Sequence, residues 1–138
     1  MRLKRAIAAA AAAVLLPLGG AVAMAAPAAA TGPCSGSTWF NYGGYWHRIP
    51  TTSDNSGNRQ CHLQQGLVGG GVGELQRNLN RCYNQGLALD SNYGPATARA
   101  VRNVQSRLGI SVDGIFGPQT SSAMVWAKFD SAGNYYGC

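Results

Sequence analysis

Apolar positions recur with a helical period over residues 72–129. Val72, Leu75, Leu79 and Cys82 fall on one face of a first helix, and Val101, Val104 and Leu108 on one face of a second. The second helix starts at Pro95 and a third at Pro118, each proline preceded by glycine, in the first turn where the missing N–H costs nothing. The third helix is expected to turn Ala123, Met124 and Ala127 inward, and Gly86 and Gly109 stand where helix C-terminal glycines belong. Residues 31–71 carry no such rhythm. They hold an aromatic and glycine cluster from Trp39 to His47, a turn-rich stretch from Thr51 to Asn58 and a Gly69-Gly70-Gly71 run that reads as a flexible connector. The pattern therefore predicts a mainly α fold, a three-helix bundle with an irregular N-terminal arm.

The helical zone is built on a recurring unit. Gly86 to Thr97 aligns without a gap on Gly109 to Thr120, with Asp90 matching Asp113, Tyr93 matching Phe116, Gly94 matching Gly117 and Pro95 matching Pro118. Upstream, Leu75-Gln76-Arg77-Asn78-Leu79 echoes Val104-Gln105-Ser106-Arg107-Leu108. Each Asp is expected to close a turn by accepting backbone N–H groups two or three residues on. Each aromatic is expected to drop into the core at the helix entrance. These roles are structural.

Residues 1–30 change the charge picture. Arg2, Lys4 and Arg5, an apolar run from Ala6 to Leu18 and the Ala23-Met24-Ala25 site have the form of a secretory signal peptide. The formal charge of +6 includes those three basic residues; the remainder has eight basic against five acidic residues, with no Lys/Arg run, which argues against nucleic-acid binding. The leader makes a poor spanning helix, so no membrane attachment is expected once it is removed. An even count of four cysteines in an exported chain reads as two disulfides. Of three possible connectivities, Cys61–Cys82 with Cys34–Cys138 is favoured, tying a short segment to the first helix and the tail over 130–138 to the arm. The cysteine spacing matches no metal site, and no cofactor is implied.

Catalytic chemistry finds little purchase. No H-E-x-x-H or G-x-S-x-G motif is present. Asp90 and Asp113 occupy equivalent turn positions and Glu74 a helix start, which leaves Asp54 and Asp130 as the pair a glycosidase would need. The rings of Trp39, Tyr42, Tyr45 and Trp46 have two readings: cover over the helices, or a platform for sugar rings.

The motifs L-Q-x-x-L, D-x-x-Y-G-P-x-T-x-x-A-V and V-Q-x-x-x-G-I-x-V-D-G-I-F-G-P-x-T resemble the peptidoglycan-binding domain of the PGBD-like type, over about Val72 to Lys128. Departures are Ser91 where the family usually has Gly and Val104 where Phe usually precedes Gln105. The resemblance implies a secreted, monomeric, non-catalytic protein that binds cell-wall peptidoglycan, by glycan or stem peptide, in a groove beside the two Asp loops. Asn92, Tyr93, Arg99 and Gln105 are the expected contacts, with Trp46 from the arm. Arg77 with Arg81, and Arg99 with Arg102, read as solvated faces, any of which could pair with a stem-peptide carboxylate. The alternatives are a protein-interaction or inhibitor module acting on a wall enzyme, and a small wall hydrolase.

Overall fold

The computed structural model describes residues 32–138, so the expected leader over 1–30 lies outside the described residues. The elements are β1 (Gly36–Tyr42), β2 (Tyr45–Thr51), α1 (Gly70–Tyr83), α2 (Pro95–Leu108), α3 (Pro118–Ala123), β3 (Lys128–Phe129) and β4 (Tyr135–Gly137). The strands form one antiparallel sheet in the order β1-β2-β3-β4. The expectation of a mainly α three-helix bundle with an irregular arm is thus corrected. The fold is mixed, with three short helices set beside a four-stranded sheet.

The arm is a hairpin because of its turn. Gly43 and Gly44 both hold positive φ, +61° and +86°, as a two-residue turn matched to the strand twist requires. Tyr42 then faces Tyr45, and Trp39 faces Arg48. The alternation that follows puts Trp39, Asn41, Trp46 and Arg48 on one face and Phe40, His47, Ile49 and Thr51 on the other. Ile49 is buried in the core with Leu63, Val72 and Leu75, and Thr51 is buried with its hydroxyl bonded to Thr38 and Ser53.

The helices behave as their periodicity predicts, with exceptions at the ends. Val72, Leu75 and Leu79 of α1 meet Ala98, Val101 and Val104 of α2 in the core. Gly109 ends α2 with φ +67°, but α1 is closed by Asn84, at φ +54°, rather than by Gly86. Gly70 and Gly71 are no connector. They form the first turn of α1, where a Cβ on Gly71 would overlap the carbonyl of Cys34. The third helix stops at Ala123, which is exposed. Beyond it the chain runs extended because Asn78 captures it. The Asn78 side chain donates to the Val125 carbonyl (3.0 Å) and accepts from the Ala127 N–H (2.9 Å). Met124, Trp126 and Ala127 are buried from this extended stretch.

Both expected disulfides are corrected: the bonds are Cys34–Cys61 and Cys82–Cys138. The Cys34 N–H donates to the His62 carbonyl and the His62 N–H to that of Gly32, so two extended segments lie side by side and align Cys34 with Cys61. The β3–β4 hairpin returns Cys138 to the end of α1, where Cys82 waits. Each bridge therefore staples an end of the helical unit to the sheet side. No helix among the described residues is long and apolar enough to cross a membrane.

Non-reducing peptide mapping should recover Cys34–Cys61 and Cys82–Cys138 peptides and no other pair. Replacing Cys34 and Cys61 together by Ala, which opens a loop closed across a separation of 27 residues, should lower unfolding free energy by about 3–4 kcal/mol in the chain-entropy account. Urea denaturation measures it.

Candidate functional site

Each Asp loop is organised by a buried glutamine. Gln76 is 1% exposed; its amide nitrogen donates to Asp90 Oδ1 (2.9 Å), the Asn92 carbonyl (2.9 Å) and Thr97 Oγ1 (3.2 Å), and its oxygen accepts the Ser91 N–H (3.0 Å). Gln105, equally buried, repeats this on the second loop. It donates to Asp113 Oδ1 (2.8 Å), the Ile115 carbonyl (2.9 Å) and Thr120 Oγ1 (3.1 Å), and it accepts from the N–H groups of Asp113 and Gly114. Each Asp also accepts the N–H two residues on, at Asn92 and Ile115. The Gln76 amide, followed by the Asn92 N–H, holds the Asp90 carboxyl below its ordinary value. Ser91 takes φ +57° where the second loop has Gly114 at φ +74°.

These bonds decide what the expected contact residues can do. Gln105 has no free donor or acceptor facing water, and Tyr93 is fully buried, its hydroxyl donating to the Gly114 carbonyl at 2.7 Å. Burial, reinforced by the Asp113 carboxylate, pushes the Tyr93 hydroxyl far above its ordinary value. Both residues are corrected from ligand contacts to interior struts that link loop to helix and loop to loop. Asn92 and Arg99 are exposed. Asn92 lines a shallow depression of about 290 Å³ with Leu87, Asp90 and Pro95; Arg99 lines a neighbouring one of about 280 Å³ with Gln85 and Asn103. Leu87, Ala88 and Ala96 belong to both, so the two make one groove along the first half of α2.

Trp46 lies elsewhere. With Trp39 and the β3–β4 turn it lines an open depression of about 270 Å³ on the sheet. A second depression of about 240 Å³ shares Trp39 and Gly133 and is walled by Arg48, Arg77, Arg81 and Glu74. Glu74 is buried in its wall and pairs with Arg77 (3.3 Å) and Arg48 (3.7 Å). Burial raises its carboxyl above the ordinary value despite both arginines.

The acidic residues suited to hydrolysis are engaged with backbone. Asp54 Oδ1 accepts the Ser37 N–H of β1 (3.0 Å), and Asp130 accepts within its own turn from Ala132 and Asn134, which holds its carboxyl below the ordinary value. Among the described residues no group of three His, Cys, Asp or Glu could hold a metal ion.

The family model described as "Putative peptidoglycan binding domain" matches residues 68–124, the stretch holding both glutamine-locked loops. The match falls on the stretch whose motifs resemble that family, and residues 68–124 are similar to its members. A probable N-acetylmuramoyl-L-alanine amidase of Bacillus licheniformis is 35% identical over 88 residues, 60% of this chain and 24% of that protein. A zinc D-Ala-D-Ala carboxypeptidase of Streptomyces albus G is 42% identical over 60 residues, 42% of this chain and 24% of that protein. The chain thus spans about a quarter of the length of these curated relatives. The crystal structure of the SleB N-terminal domain, 36% identical, matches 44% of this chain and 84% of that one with a TM-score of 0.41.

Gln76→Ala and Gln105→Ala should each cost about 2–4 kcal/mol in urea denaturation, since each strands several polar groups inside the loop it closes. Glu74→Gln tests the opposite case. A carboxyl raised on folding stabilises fully below its ordinary value of 4.5 and loses that contribution as pH rises through the raised value. The variant should therefore gain stability relative to the parent as pH rises above about 4.5, read from paired denaturation curves.

Proposed function

We propose that this chain is an exported, non-catalytic, monomeric protein that attaches to bacterial cell-wall peptidoglycan through the 68–124 unit, after removal of a leader over residues 1–30. The observation that carries this reading is the family match over the unit built on the two glutamine-locked loops. The amidase and carboxypeptidase names of the relatives, both wall-directed enzymes, point to the same polymer. The two disulfides suit an oxidising, extracellular setting.

Binding falls to the groove along α2. Asn92 offers an amide for sugar hydroxyls or stem-peptide backbone, and Arg99 a guanidinium for a stem carboxylate. The loops beneath are rigid, so little ordering opposes capture. Affinity per site is modest and grows where many sites lie close together on the wall. A non-catalytic role is supported by the engagement of Asp54 and Asp130 as acceptors of backbone N–H groups, Asp54 from strand β1 and Asp130 within its own turn.

The protein should sediment with insoluble sacculi well above a heat-denatured control, and dye-labelled sacculi should release nothing beyond buffer. Asn92→Ala with Arg99→Ala should lower the binding constant about tenfold, the effect of losing two exposed polar contacts. Sedimentation no better than the denatured control would overturn the reading in favour of a protein-interaction module, and dye release would overturn its non-catalytic part.

A further inference from the structure

Trp39 and Trp46 lie outside the family unit, on the sheet face that carries Arg48, and remain 39% and 38% exposed. A small domain gains stability by covering indoles, so two left open side by side mark a recognition surface. Their setting is firm. Trp39 stands edge-on to Phe129, 5.2 Å between ring centres, with the Arg48 guanidinium 5.7 Å from the centre of its ring. Trp46 faces Phe129 across the β2–β3 pairing. The Asp130 turn that closes the depression is locked by its own hydrogen bonds.

Next to the rings lies surplus positive charge. Arg48, Arg77 and Arg81 surround one carboxylate, Glu74, and the ion pairs at Glu74 involve Arg48 and Arg77. Arg81 instead stacks on Phe129 and Tyr135, at 5.2 and 5.6 Å. Asp130 lines the neighbouring depression and not the one walled by the arginines, and its carboxylate accepts three hydrogen bonds within its own turn, from the Ala132 N–H, the Asn134 N–H and the Asn134 side-chain amide. The two joined depressions, about 270 and 240 Å³, are each smaller than a typical small-ligand pocket of roughly 300 Å³. Each has room for a single ring or a single acidic group, not for a helix.

We propose that this sheet face is a second saccharide subsite, in which a pyranose ring of an amino-sugar glycan stacks on Trp39 and Trp46 while a carboxylate borne by that glycan is held by Arg77 and Arg81. The ring's C–H bonds meet the negative π faces of the indoles, and the guanidiniums meet the acid as charge-assisted donors. The identity of the glycan as a wall polymer rests on the function proposed above; the stacking and charge chemistry do not. With the α2 groove, the sheet would give one chain two points of attachment, so that release requires both to let go.

Intrinsic fluorescence tests this directly, because Trp126 is buried and the response comes from the two exposed tryptophans. The probes are the disaccharide of N-acetylglucosamine and N-acetylmuramic acid, which carries a carboxylate, and neutral chitobiose. Both should give a saturable change below about 10 mM, with the acidic disaccharide tighter. Trp39→Ala or Trp46→Ala should weaken binding about fivefold, with Trp46→Phe, which keeps a ring for packing, in between. Arg77→Gln with Arg81→Gln should bring the acidic disaccharide down to the affinity of chitobiose. Equal affinity for both probes in the parent protein, or a change that follows protein concentration without sugar, would overturn the proposal. So would no response in the parent while it still sediments with sacculi, an outcome that leaves wall attachment standing. Conversely, a parent that responds to the disaccharide but fails to sediment retains the subsite and removes the wall reading.

Discussion

A primary amide placed inside a loop is the constraint on which the helical unit depends. Gln76 and Gln105 each thread a side chain from a helix into an Asp loop and there satisfy a carboxylate, a carbonyl, a hydroxyl and one or two N–H groups. A loop that passes over a core must find partners for its backbone groups or lose the free energy of dehydrating them. One glutamine does this for a whole turn, which lets the aromatic beside it, Tyr93 or Phe116, sink fully into the interior. The helix that follows then starts at Pro95 or Pro118 from a fixed point.

The sheet solves a different problem. A helical unit with two connections leaves one side of its core open, and the hairpin closes it by packing β2 against α1, with Ile49 in the shared core. Both disulfides run from the helical unit or its approach to the strands, Cys34–Cys61 at one end and Cys82–Cys138 at the other. The strands' opposite face is then free to keep its tryptophans in contact with solvent. Cover on one side and exposed rings on the other follow from the same alternation of residues.

What could be read in the sequence depends on range. The Gly-Pro helix starts and the paired Asp turns are local devices, and Asp90 and Asp113 accept the N–H bonds their spacing announces. The hairpin was also local: Gly43-Gly44 between aromatic runs is the two-residue turn signal, hidden by the low-complexity look of the cluster. Strands of two and three residues, β3 and β4, are too short to carry a period. The disulfide pairing depended on extended segments meeting across the fold, which no spacing encodes. Tyr93 and Gln105 were legible as polar residues at the loops, but only their geometry reveals that those polar atoms face inward. Asn92 and Arg99 are outward in the same neighbourhood.

The stretch between Cys61 and Gly69 carries a consequence for where this module can be cut. Leu63 exchanges both backbone hydrogen bonds with Phe116, and Leu67 accepts the Tyr93 N–H. The family match begins at residue 68, on the far side of these partners. A fragment trimmed to that boundary would leave the peptide groups of Phe116 bare at the rim of its own interior, so the smallest autonomous version of this unit must reach back past Leu63.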